Sequence, residues 1–432
     1  MRKMNIGSSG TVSRGELLLV VILSLAFSFP ESKWSFLLLS VIILLALCKW
    51  VTGFAPLRNF PQLQTVREIL DTVGIPEQTE EGEKLSGFLR WNMGSRAAIH
   101  LYTVILVTYG LTESRFFSTN FTTYVNGASA ICAVYLFGKR TVKCSFMAMC
   151  VAWFVGLFAA VFFPRTDNFW INMELHDMSF AAGYVLLYYL CAFRKWDVKN
   201  LLCLGITVLI ILFAFKRIGI VALVLTAGVW LLLRLIKPEK IRRQILLWGS
   251  ICAIVLCYLF VLVIIEGWLA AAMEAAGIDP SGRNYYYAAL AEYCEFTPGF
   301  IGLGRNASAT LFAVDLRKLR VGNVHSDILR MYAECGFVLF GLWLTTYWIA
   351  LPHAIDKRFG YRAMEFFLLC NIYTFVVYAT DNTELYLINQ YFYMLIPIIV
   401  SLYPPQISDG NKEDIGRIMK RFTKKVNARD EE

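Results

Sequence analysis

The chain has 432 residues, 57 % of them hydrophobic and 17 % charged, with a mean hydropathy of +0.56. A soluble chain of this length would divide into domains with polar surfaces, which this composition cannot cover, and the same figures exclude disorder, collagen and coiled coil. The net charge of +9, from 41 Lys+Arg against 32 Asp+Glu, is read through its location rather than as a nucleic-acid signal.

The expectation is an all-α polytopic membrane protein, one integral membrane domain over 1–432. A spanning helix needs about 20 mainly apolar residues, fewer where flanking groups snorkel. In chain order the candidates are 16–30, 34–50, 97–113, 120–138, 144–163, 176–193, 200–215, 218–236, 245–265, 328–350, 363–380 and 389–403, twelve in all. The basic N-terminus precedes the first of them without a small-residue cleavage site, which predicts an uncleaved first helix. The pair over 200–236 is nearly continuous, interrupted at Lys216-Arg217. The eleven cysteines fall mostly inside apolar runs, where Cys acts as a small hydrophobe. No Cys-x-x-Cys or Cys/His spacing occurs, which predicts neither a disulfide framework nor a metal site.

Alternating these segments with both termini in the cytoplasm puts 30 of the 41 basic residues inside and 11 outside, as positive-inside topology asks. Residues 51–96 then form a cytoplasmic loop, with an acidic run from Glu77 to Glu83. Residues 266–327 form the one large external loop. The basic tail 404–432 is cytoplasmic, and its Lys420, Arg421, Lys424 and Lys425 suit anionic lipid heads.

The outer basic residues run against the rule, and each needs a reason. Lys216-Arg217 reads as a tight external turn with snorkelling heads or as an anion site at the membrane boundary. Arg165 precedes the sixth span. The large loop holds Arg283, Arg305, Arg317, Lys318, Arg320 and, at its end, Arg330; glycine beside arginine, as in Gly282-Arg283 and Gly304-Arg305, suits close backbone approach to an anion. The stretch from Arg283 to Phe296 reads as helical, with Tyr286, Leu290, Tyr293 and Cys294 as a stripe packing on the bundle. Of four histidines, His325 sits where the loop re-enters the membrane, with Asp327 beside it, and is the base candidate. External arginines and one external histidine without a metal cluster suit a pyrophosphate leaving group, because guanidinium forks match phosphate oxygens and stay charged.

Four segments carry a family resemblance: Pro164-Arg165 through Asn172 followed by His176-Asp177-Met178-Ser179-Phe180-Ala181; Phe215-Lys216-Arg217-Ile218-Gly219; Ser281-Gly282-Arg283 through Pro298-Gly299-Phe300-Ile301-Gly302-Leu303-Gly304; and Val324-His325-Ser326-Asp327-Ile328-Leu329 through Glu334-Cys335-Gly336-Phe337-Val338-Leu339-Phe340-Gly341. Together they resemble the bacterial O-antigen ligase and Wzy-type polysaccharide polymerase superfamily, over about 165–400. The resemblance implies a bundle similar to GT-C-type membrane glycosyltransferases, in a bacterial inner membrane, with an external active site. It implies a glycan donor on undecaprenyl pyrophosphate, transferred without metal or cofactor. Carried onto this chain, Arg217 and Arg283 would hold the pyrophosphate and His325 would be the base. Arg165, Arg305 and Lys216 would be further anion contacts, and Asp327 and Asp177 support. The implied partners are the lipid-linked oligosaccharide, membrane lipid, a chain-length regulator and a flippase, with no nucleic acid. A repeat-unit polymerase, a ligase with a surface acceptor, and a transporter are the competing functions. A transporter is expected to place polar groups at mid-span in broken helices, and none stands out in the sequence.

Overall fold

The computed structural model describes residues 13–29, 33–52, 121–138, 140–163, 175–192, 198–214, 216–277, 283–304, 311, 324–383 and 386–402. Among them the regular structure is all helical. The helices are α1 (Arg14–Ser28), α2 (Lys33–Thr52), α3 (Phe121–Phe137), α4 (Arg140–Phe162), α5 (His176–Leu187, with a π-turn Tyr188–Ala192), α6 (Val198–Phe213), α7 (Arg217–Leu235) and α8 (Glu239–Ile265). Two short ones follow, α9 (Trp268–Ala275) and α10 (Arg283–Ala291). The chain then runs through α11 (Asp327–Thr345), a π-turn Thr346–Ala350, α12 (Leu351–Phe359), α13 (Tyr361–Tyr378) and α14 (Leu387–Leu402).

Each apolar segment read from the sequence coincides with a helix, except 97–113, which lies outside the described residues together with most of the 51–96 loop and the 404–432 tail. Among the described residues, four helical runs are long and apolar enough to cross a membrane: Arg140–Phe162, Arg217–Leu235, Glu239–Ile265 and Asp327–Lys357. Trp34–Cys48, Val125–Phe137, Asn200–Phe213 and Leu387–Val400 are apolar but shorter.

Local sequence explains the element ends. Ser13 caps α1 in a reciprocal box, its Oγ accepting from Glu16 N at 3.2 Å while Ser13 N donates to Glu16 Oε2 at 2.8 Å. Glu16 also accepts from Arg140 on α4 at 2.7 Å, which ties the ends of two packed helices. Between α7 and α8, Pro238 stands just before the first helical residue, where its missing N–H costs nothing.

The core is mostly apolar, but polar groups are built into it. The packed centre, formed by α5, α13 and α14, holds polar groups bonded to one another. Tyr184 Oη and Thr374 Oγ1 lie 2.7 Å apart; Tyr393 Oη donates to Asn371 Oδ1 at 3.1 Å; Asn371 Nδ2 donates to Tyr347 O at 2.7 Å; Asn389 Nδ2 donates to Thr383 O at 2.9 Å. The outward faces of α7 and α8 are apolar, with Val224, Leu232, Trp248 and Leu256 each more than 60 % exposed. Lipid satisfies such a face, and without water the inner polar groups must pair within the protein. The chain is an α-helical membrane protein in its construction.

Candidate functional site at the His325 end of the bundle

The site is built where α5, α7, α10 and α11 begin and where the segment between α13 and α14 turns. Lys216 and Arg217 form the link from α6 to α7. Lys216 Nζ donates to Asp381 Oδ2 at 3.2 Å, and Asp381 is buried. The Asp381 carboxylate also accepts from Asn382 N at 2.9 Å and from Tyr386 Oη at 3.2 Å. Its main-chain carbonyl accepts from Asp327 N at 3.2 Å. Asp381 thus joins the cationic turn to the start of α11. Arg217 points outward, is exposed, and forms no ion pair among the described residues.

His325 precedes that start and is half-buried. It is the one non-glycine residue with positive φ, 52°, among the described residues. That left-handed geometry is uncommon outside glycine and is kept when surrounding contacts over-determine it. The contacts are visible. Tyr287 Oη donates to His325 O at 3.3 Å, and the Tyr286 ring centre lies 6.3 Å from the imidazole. Ser326 then caps α11, its Oγ accepting from Leu329 N at 3.2 Å and donating to Tyr378 O at 3.2 Å.

Buried Asp327, one turn before Arg330, accepts from that guanidinium at 2.9 Å. Asp177 lies in the first turn of α5, which packs Phe180 against the Tyr386 ring at 6.2 Å. Burial first, then the charges of Asp381, Asp177 and Asp327, pushes the Tyr386 phenol well above its ordinary value and keeps it neutral. Two buried oxygens nearby in the chain, Ser179 Oγ and Asn382 Oδ1, make no hydrogen bond among the described residues. Such atoms have bonding capacity left for the hydroxyl groups of a ligand.

The sequence-predicted residues therefore divide in three. Lys216, Arg217, His325, Asp327 and Asp177 come to one end of the bundle. Arg283 opens α10, whose Tyr286 and Tyr287 reach His325; nothing beyond its backbone position is described. Arg165 and Arg305 lie outside the described residues, as do Arg317, Lys318 and Arg320. Asp381, Asn382 and Tyr386 were missed. They sit in the polar break between the last two apolar runs, and that break holds no basic residue, so charge counting passed over it.

Two further differences from the sequence reading bear on the site. The helix opened by Arg283 ends at Ala291 rather than at Phe296. Tyr293 N and Cys294 N there bond three residues back, at 3.1 and 3.0 Å, and Pro298 follows. Leu290 and Cys294 of the predicted stripe pack inward, whereas Tyr293 is exposed. The run 328–350 is also broken, at Gly336, with φ 76° and ψ 177°, a region open essentially to glycine alone. Phe300–Gly304 fills the break. Leu303 N donates to Ala333 O at 2.8 Å, Gly304 N to Glu334 O at 3.0 Å, and Phe337 N to Phe300 O at 2.9 Å. A Cβ on Gly302 would come within 2.5 Å of both Glu334 O and Gly336 N, so the backbones meet glycine on glycine. Phe296 and Phe300 stack on Tyr332 at 6.0 and 5.5 Å. Two of the four motif stretches thus dock on each other, and protein rather than lipid satisfies the irregular backbone.

Among the described residues, no group of three His, Cys, Asp or Glu side chains is arranged to hold a metal ion. The chemistry the arrangement offers is a half-exposed imidazole, an exposed guanidinium and unsatisfied oxygens around one buried hub. No protein-family model matches the chain, and no curated protein matches it.

Proposed function

We propose that the chain is a polysaccharide repeat-unit polymerase of the O-antigen, capsule or exopolysaccharide kind: a metal-independent membrane glycosyltransferase with twelve spans in a GT-C-like bundle. In this reading it lies in a bacterial inner membrane with both termini cytoplasmic and the His325 end external. Its donor is a glycan on undecaprenyl pyrophosphate, and its acceptor is a hydroxyl of a new lipid-linked repeat unit. The acceptor oxygen bonds to the anomeric carbon as the bond from that carbon to the pyrophosphate oxygen breaks. The leaving pyrophosphate takes the electron pair and is held by Arg217 and Arg283, with Arg165, Arg305 and Lys216 as further contacts. His325 Nε2 or Nδ1 takes the acceptor proton. The carrying observation is the Asp381 hub, which brings the Lys216-Arg217 turn and the His325 segment together although more than 100 residues separate them.

Complementation of a polymerase-deficient strain tests the reading. His325→Ala, Arg217→Ala and Arg283→Ala, each at normal membrane level, are expected to leave single repeat units only. Wild-type chain lengths from all three would refute the site. The ligase reading expects long unattached chains instead. The transporter reading draws on one observation, the helix break at Gly336, and it expects repeat units to accumulate on the cytoplasmic side.

A further inference from the structure

A second cluster lies at the opposite end of α7 and serves none of this chemistry. The last turn of α7, the link and the first turns of α8 together carry Arg234, Lys237, Lys240, Arg242 and Arg243 within ten residues. Basic residues at helix ends are ordinary in membrane proteins. What sets Arg234 and Arg242 apart is the buried group on which they converge. Glu365 of α13 is buried, pairs with Arg234 at 3.0 Å, and lies 4.0 Å from Arg242. Arg243 pairs with Glu239 at 2.8 Å and with Asp356 of α12. The guanidinium carbons of Arg242 and Arg243 lie 5.0 and 4.9 Å from the centre of the Tyr361 ring.

Three buried atoms of this knot make no hydrogen bond among the described residues: Arg242 Nε, Tyr361 Oη and Glu365 Oε2. Tyr361 itself is 5 % exposed, and its hydroxyl faces the Glu365 carboxylate on the same helix. Buried polar groups are rarely left so, because each forfeits its bonds to water. Two of the three can donate, and they sit among guanidinium groups; that pair suits an oxyanion. The third accepts, and it asks for a donor on the same ligand. Lys237 and Lys240 add positive charge nearby in the chain, beyond the three carboxylates that offset the three arginines. Along the same stretch Leu231, Leu232, Leu235, Ile241 and Ile245 are exposed apolar side chains. Since α7 and α8 are both long enough to span a bilayer, their joined ends lie at its interface.

We propose that Arg242, Tyr361 and Glu365 form a binding site for an anionic phospholipid with a hydroxylated headgroup, such as phosphatidylglycerol. The phosphodiester oxygens accept from Arg242 Nε–H and Tyr361 Oη–H. A headgroup hydroxyl donates to Glu365 Oε2, and the acyl chains lie along the exposed leucines and isoleucines. Bound there, the lipid joins α7, α8 and α13 and stabilises the bundle. This inference is independent of the glycosyltransferase reading.

The experiment uses the purified full chain in a neutral detergent and follows thermal unfolding. The added probes are phosphatidylglycerol, phosphatidylcholine, or glycerol 3-phosphate without chains. Phosphatidylglycerol alone is expected to raise the midpoint, saturably. Tyr361→Phe removes one oxygen and is expected to weaken the apparent affinity about tenfold while leaving the lipid-free midpoint near that of the wild type. Should that variant fail to fold, Arg242→Lys keeps the charge, removes the Nε–H and is expected to weaken binding similarly. Equal shifts from phosphatidylcholine, or unchanged affinity in the folded variants, would overturn the site. An equal shift from glycerol 3-phosphate would overturn the lipid assignment in favour of a soluble phosphate.

Discussion

Replacing Asp381 should uncouple the two halves of the candidate site. Asp381 is buried, and Lys216, whose side chain is 18 % exposed, donates to it at 3.2 Å. At that separation and an effective dielectric of about 20, the attraction is ~5 kcal/mol, much of which desolvation offsets. Removing one partner is worse than lacking both, because the survivor is then a buried charge; such losses run at about 3–5 kcal/mol. Asp381→Ala also strips acceptors from Asn382 N and Tyr386 Oη but leaves the main-chain bond from Asp327 N. The expected cost is therefore about 3–5 kcal/mol for Asp381→Ala. The double variant with Lys216→Met is expected to recover at least ~1.5 kcal/mol relative to additivity. Unfolding of the purified protein in mixed micelles, titrated with a denaturing detergent, reads this coupling. The exposed pair Arg243–Glu239, one helical turn apart, serves as the reference and should couple by only about 0.3–0.5 kcal/mol. Additivity within ~0.5 kcal/mol at Asp381 and Lys216 would refute the hub.

The helix break yields a second test. Gly336→Ala and Gly302→Ala meet both a positive φ and a backbone in contact, whereas Gly304→Ala meets positive φ with open space around it. The first two should lower stability by several kcal/mol and the third by about 1 kcal/mol, in the same unfolding assay; equal losses at all three would contradict the docked backbones. A third test concerns pH. Tyr386 is held neutral in the folded protein but ionises near pH 10 when unfolded. Its contribution is therefore fully present below about pH 10 and declines as pH rises further toward the raised folded value. Wild type minus Tyr386→Phe, compared across pH 8 to 11, should be flat and then fall; a difference that stays flat to pH 11 would show that the phenol is not buried among those carboxylates.

Much of this protein was legible in its sequence. Leucine-rich runs of helical length fix where the helices lie, because lipid leaves a spanning backbone little alternative to bonding itself. Lys216-Arg217 between two apolar runs marked the turn from α6 to α7, and the apolar run from 328 marked the start of α11 to within a residue, since both signals act over a few residues. The break at Gly336 was hidden because its cause lies 32 to 36 residues upstream: only when Phe300–Gly304 lies against 333–337 does a glycine there become a broken helix. Asp381 was hidden for the same reason, as an acid in a short polar link is unremarkable until folding places Lys216 and Asp327 on it. The polar seam through Tyr184, Thr374, Asn371 and Tyr393 also escaped hydropathy, which averages one buried asparagine into its apolar neighbours. Composition and periodicity thus determined the solvent and the elements, which depend on single segments. The hub, the docked loop and the arginine knot depend on pairs of distant segments, and only the tertiary structure decided which of them meet.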